Sequence, residues 1–87
     1  MYIHYTELPN DLPLTEVVGQ LNETLDDTGA VSGGLNKEKG GRIDLELEDE
    51  RVNPKYAQMA VKAYLQRAGF AKDTIIEIGG MEIGLYE

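Results

Sequence analysis

A chain of 87 residues, 41% hydrophobic and 28% charged, has the size and composition of one small globular domain over residues 1–87 and not of a disordered segment. Its 16 acidic residues against 8 basic ones give a formal net charge of -8, which opposes direct contact with nucleic acid or an anionic membrane through long-range repulsion. With no cysteine there is neither a disulfide framework nor a thiolate metal site, and no apolar run or N-terminal pattern marks a membrane span or signal peptide, so a cytoplasmic protein is expected.

Tyr2 to Glu7 is rich in aromatic and β-branched residues and suits a short strand, ended by Pro9 and Pro13. Leu14, Val17, Val18, Leu21 and Leu25 then fall on one stripe of a helix over about residues 13 to 27. Pro13 suits its first turn and Gly29 its left-handed stop. Ala30 to Leu35 reads as a second strand weakened by Gly33 and Gly34, with a turn from Asn36 to Gly41 leading into Arg42 to Glu50. In that segment Ile43, Leu45 and Leu47 alternate with Asp44, Glu46 and Glu48, the pattern of a strand with one face on a core and the other in water. Asn53 as cap and Pro54 as first residue open a second helix that stops at Gly69. Its broad apolar face runs through Tyr56, Ala57, Met59, Ala60, Val61, Ala63, Tyr64, Leu65 and Ala68. Thr74 to Ile78 and Met81 to Tyr86 flank Gly79-Gly80 and form a hairpin that pairs Ile78 with Met81, Glu77 with Glu82 and Ile76 with Ile83.

The order strand, helix, strand, strand, helix, strand, plus one terminal strand, predicts an α+β domain of ferredoxin-like type, βαββαβ with an extra C-terminal strand. Two helices would cover one face of an antiparallel sheet. A separate small sheet made by the last hairpin is the competing arrangement. In the first, the third strand is central, so the row Asp44, Glu46 and Glu48 lies in the middle of the uncovered face and not at a rim, and shares it with Glu77 and Glu82.

Little else in the sequence carries chemistry. His4, the single histidine, shares its side of the first strand with Tyr2 and Thr6, so it emerges beside the carboxylates. No second histidine, cysteine or nucleophile elbow accompanies it, and Ser32 in Val-Ser-Gly-Gly lacks the required glycine spacing. The glycine pairs are not followed by the lysine and hydroxyl residue of a phosphate loop. Carboxylates every second residue on a strand stand almost 7 Å apart and do not wrap one cation as a calcium loop does. The expected reading is therefore a non-enzymatic protein without cofactor or metal. Asp44, Glu46, Glu48, Glu77, Glu82 and His4 form its partner-binding set, docking on a basic protein, such as one that binds nucleic acid, as an inhibitor or regulator. Self-association through the sheet face or the edge near Gly84 to Tyr86 is one alternative, and a small-ligand sensor or minor enzyme with a pocket between the helices and the sheet near Tyr56 and Tyr64 is another. The plainer account of the charge is that it keeps a small domain soluble.

Overall fold

A computed structural model describes residues 1–9, 12–26, 29–37, 40–47 and 55–86, with backbone alone at 36 and 37. Its elements in chain order are β1 (Tyr2–Tyr5), α1 (Leu14–Leu25), β2 (Gly29–Lys37), β3 (Gly40–Leu47), α2 (Lys55–Ala68), β4 (Ile75–Ile78) and β5 (Met81–Gly84). The five strands form one sheet in the order β2-β3-β1-β4-β5, every pair antiparallel. The last hairpin therefore belongs to the main sheet and not to a second one. β1 is the middle strand, and β3 lies between it and β2.

The side-chain alternation of each strand explains this assembly. Ile3 stands opposite Ile43 on one side and Ile76 on the other, and Ile76 stands opposite Ile83, so isoleucines run across four strands on one face. Stiff β-branched side chains pack well on such a pleated surface. Val17, Leu21 and Leu25 of α1 and Val61, Tyr64 and Leu65 of α2 join Ile3, Ile43 and Ile76 in a single buried cluster. Each fully buried aliphatic side chain contributes about 1.5–3 kcal/mol. The helices thus share the isoleucine face, and among the described residues no element covers the other face of the sheet.

Several boundaries differ from the sequence reading for local reasons. Pro13 is not inside α1 but is its N-cap, with extended backbone at φ -70° and ψ 149°. Its carbonyl accepts the amides of Glu16 at 3.0 Å and Val17 at 3.2 Å. The helix ends at Asp26, whose φ is 50° and whose N–H donates to the Asn22 carbonyl, so Gly29 is not the stop but the first residue of β2. A short polar side chain tolerates positive φ better than most. The β2–β3 ladder runs on to Lys37 opposite Gly40, so the turn is shorter than Asn36 to Gly41. Glu48, Asn53 and Pro54 lie outside the described residues.

α2 departs most from expectation. Its buried residues are Ala57, Val61, Tyr64 and Leu65, a stripe at i, i+4, i+7 and i+8, whereas Tyr56 is 66% and Met59 62% exposed. The broad apolar face is therefore a narrow one. The stop at Gly69 is as read. The Gly69 amide donates to the Gln66 carbonyl and the Phe70 amide to the Leu65 carbonyl, at 3.2 and 3.1 Å, the paired bonds of a Schellman motif. At the other end of the molecule Gly79 and Gly80 take φ values of 58° and 80°, which a two-residue hairpin requires. The pairs Ile78–Met81, Glu77–Glu82 and Ile76–Ile83 form as counted from that turn.

Thr74 is fully buried at the head of β4, and its hydroxyl has no hydrogen-bond partner among the described residues. An unmet buried hydroxyl costs about 1–3 kcal/mol. Thr74→Val keeps the branched shape and removes that group, so the urea midpoint is expected to rise by the equivalent of about 1 kcal/mol. A fall in the midpoint would mean that the hydroxyl is engaged.

Candidate functional site: the open face of the sheet

The strand alternation that buries the isoleucines turns a polar set to the opposite face. Tyr2 stands between Asp44 of β3 and Glu77 of β4, and Glu77 stands opposite Glu82 of β5. Two residues along, on the same face, His4 stands between Arg42 and Ile75. Glu46 follows Asp44 on the same side of β3, opposite Ala30. The structure therefore brings His4, Asp44, Glu46, Glu77 and Glu82 onto one surface. Glu48 lies outside the described residues.

This surface is an interleaved lattice of charges and not a bare row of acids. Arg42 Nε donates to Asp44 Oδ1 at 2.6 Å and its Nη2 to Asp44 Oδ2 at 3.2 Å, a two-bond fork between guanidinium and carboxylate. The hydrogen bond to Asp44, reinforced by that residue's charge, raises the Arg42 pKa above its ordinary value. The Arg42 guanidinium carbon also lies 5.4 Å from the Tyr2 ring centre, within cation–π range. On the other side of Tyr2, His4 and Glu77 share a hydrogen bond of 3.0 Å between Nε2 and Oε1. Since an ionised carboxylate only accepts, the imidazole is the donor. The Tyr2 and His4 rings are 6.5 Å apart. Both side-chain contacts are diagonal or same-strand neighbours on a ladder, the positions at which long side chains reach one another. Arg42 and His4 thus engage two of the four described carboxylates. Glu46 and Glu82 have no cationic partner among the described residues.

Chemically, the His4–Glu77 pair has the form of a base held by an orienting acid, a partner invisible in the sequence. The hydroxyls of Thr6 and Ser32 are committed elsewhere. Thr6 donates to Asp73 at 3.0 Å and Ser32 to the Asp44 carbonyl at 3.3 Å. Nucleophilic catalysis needs the nucleophile itself within reach of the base, and neither hydroxyl is bonded to His4. Among the described residues no three histidine, aspartate or glutamate side chains converge as metal ligands would. No described helix is long and apolar enough to cross a membrane.

A groove of about 640 Å³ lies elsewhere, between α1 and α2, where Leu12, Gln20, Glu23, Tyr64 and Arg67 contribute to its walls. Tyr64 lines it and Tyr56 does not, and no described strand residue contributes, so it is not the pocket between helices and sheet that the sequence reading placed near those two tyrosines. The Tyr64 hydroxyl donates to Gln20 Oε1 at 2.6 Å. Burial raises its pKa, the nearby charge of Glu16 adds to the rise and Arg67 opposes it. That hydroxyl is already satisfied within the protein, and the charged groups that line the groove beside it are Glu23 and Arg67.

Arg42 is the member of the open face that sequence reasoning missed, whereas Tyr2 was placed on the side of His4 but given no part in the site. The signal for Arg42 was present, since counting the alternation back from Asp44 places it on the same side. No protein-family model, curated protein or solved structure matches the chain.

Proposed function

We propose that this protein is a small acidic binding module that docks the open face of its sheet on a basic surface of another protein, and that it inhibits or regulates that partner. The observation that carries the reading is the presence of Asp44, Glu46, Glu77 and Glu82 on one uncovered face, two of them without a cation among the described residues. Strands hold these groups at fixed spacing, so little ordering entropy is lost when a partner's lysines or arginines arrive. The net charge of -8 speeds the approach of a basic protein and repels nucleic acid. A nucleic-acid-binding protein, whose basic surface is spaced for phosphates, fits this face best. On this reading His4 and Glu48 complete the contact set, the protein is not an enzyme, and it works in the cytoplasm without cofactor or metal.

The architecture we infer for this module is ferredoxin-like with one added strand. Its support is that β3 separates β1 from β2 and β1 separates β3 from β4, so each βαβ unit is split by an antiparallel strand.

Glu46→Lys combined with Glu82→Lys tests the docking. Both side chains are exposed, so the fold should be disturbed by no more than about 0.5 kcal/mol per site. Wild-type protein should retain a basic protein from host extract at low salt, and the double variant should not. With the purified pair, the association rate should fall steeply as the Debye length shrinks from about 10 Å to about 3 Å between 0.1 and 1 M salt. Affinity of the double variant within about threefold of wild type would remove the acidic face from the interface.

A further inference from the structure

One row of the open face crosses all five strands. Gly33 of β2, Asp44 of β3, Tyr2 of β1, Glu77 of β4 and Glu82 of β5 stand opposite one another in succession. The middle member of the row is aromatic, and it has a carboxylate across the ladder on each side. Tyr2 is 42% exposed, and the buried cluster that holds Ile3 and Tyr5 of the same strand does not include it. The face of an aromatic ring is negative, so the ring and its two acidic neighbours together favour a cation.

The protein's own side chains show which cation suits this arrangement. On the β3 side the Arg42 guanidinium forks on the two carboxylate oxygens of Asp44 and lies 5.4 Å from the Tyr2 ring centre. The β4 side repeats the ring and the carboxylate without a guanidinium. There His4 engages Oε1 of Glu77, and Glu82, directly opposite Glu77, has no cationic partner among the described residues. Like charges facing each other across a ladder weaken it, and a cation placed between them reverses that cost.

We infer that Tyr2 is the anchor of the docking face and that it receives an arginine of the partner, held by Tyr2, Glu77 and Glu82 as Arg42 is held by Tyr2 and Asp44. The inference rests on the docking reading above and adds the identity of the central contact. Charge complementarity selects a cation, and the ring selects guanidinium over ammonium. A planar, weakly hydrated guanidinium stacks on an aromatic face while its fork of donors meets carboxylates, whereas an ammonium is a compact and strongly hydrated point charge. Place in the sheet points the same way. Tyr2 lies on the middle strand, and the residues that carry most of an interface's energy cluster near its centre, with tyrosine and arginine prominent among them.

End-capped hexa-arginine and hexa-lysine peptides, equal in charge and length, test this when titrated into the full chain at low salt and followed by NMR. Wild-type protein should bind hexa-arginine about fivefold more tightly than hexa-lysine. Tyr2→Phe keeps a ring and should keep the preference. Tyr2→Leu should narrow it to within about twofold and bind hexa-lysine as wild type does, since no charge has changed. The Tyr2 side chain is exposed, so both variants should fold. The ring-proton signals missing from the Tyr2→Leu spectrum should be among those that move most when hexa-arginine is added to wild type. Equal binding of the two peptides by wild type overturns the inference and leaves the docking reading standing, and a preference that survives in Tyr2→Leu does the same. Binding of neither peptide overturns both together.

Discussion

Phe70→Ala is expected to cost about 3–5 kcal/mol, a large share of the roughly 4–13 kcal/mol available to a domain of 87 residues. Phe70 sits where several supports meet. Its amide closes the Schellman bond to Leu65, its carbonyl accepts the Tyr86 hydroxyl, and its ring is 2% exposed. The ring meets Tyr5 of the middle strand edge to face, at 6.2 Å between centres and 83° between planes. Such a contact adds about 0.5–1.5 kcal/mol to simple burial. Removing the ring leaves a hole between the end of α2 and β1 that backbone held by hydrogen bonds cannot collapse to fill. In urea at 25 °C the midpoint should fall sharply with little change in the slope, the sign of lost stability without a changed denatured state. A loss below about 1.5 kcal/mol would mean that the site relaxes and that the aromatic pair does not anchor the helix to the sheet.

The path to that core was largely legible in the sequence where two independent local signals agreed. In β3 the alternation of Ile43 and Leu45 with Asp44 and Glu46 set both faces of the strand. In the last hairpin two adjacent glycines fixed the register, because a one-residue slip would have turned Ile76 and Ile78 to water. Gly69 marked the end of α2 because the turn after a helix favours a residue without Cβ. The sequence was least informative in α2 itself. Alanine and apolar residues occur on most of its circumference, so several overlapping stripes satisfy the helical period. Only its seat on the sheet decides that Ala57, Val61, Tyr64 and Leu65 face inward and that Tyr56 and Met59 do not.

The candidate site was legible in its acids and in the side of the sheet its bases take, but not in which acid each base meets. That Asp44 and Glu46 share a side follows from strand period alone, and the facing of Glu77 and Glu82 follows from a two-residue turn. The placement of His4 beside Glu77 depends on β1 entering the sheet between β3 and β4, a pairing between residues 73 positions apart. No local pattern encodes that register. The same insertion brings Tyr2 beneath the Arg42 guanidinium. Its physical consequence is a face whose charges are partly compensated before any partner arrives. Isolated exposed ion pairs of this kind contribute only about 0–1 kcal/mol to stability. Their effect on docking is to present the acids in fixed positions, and the uncompensated Glu46 and Glu82 set the sign of the surface.

Gly40→Ala and Gly19→Ala should change stability in opposite directions, although each adds a single methyl group. Gly40 opens β3 with φ at 113°, a region that costs a residue with a side chain about 1–3 kcal/mol. A Cβ there would also collide with the Tyr5 carbonyl oxygen and stand 2.8 Å from the Thr6 Cα. Those atoms are backbone at the end of the middle strand, and they cannot swing aside as the tip of a side chain could. Yielding would separate β1 from β3 near the Tyr5–Gly41 pair and disturb the ladder beneath the Arg42 and His4 side chains. The combined cost should exceed about 3 kcal/mol, beyond the usual range for a single substitution. Gly19 lies within α1 on its exposed side, and a Cβ there would meet nothing within 4 Å. Relief of the glycine entropy penalty should raise stability by about 0.5–1 kcal/mol. Paired urea titrations of the two variants measure the contrast directly. A tolerated alanine at residue 40 would mean that β3 does not approach the end of β1 so closely, and the register that builds the open face would have to shift with it.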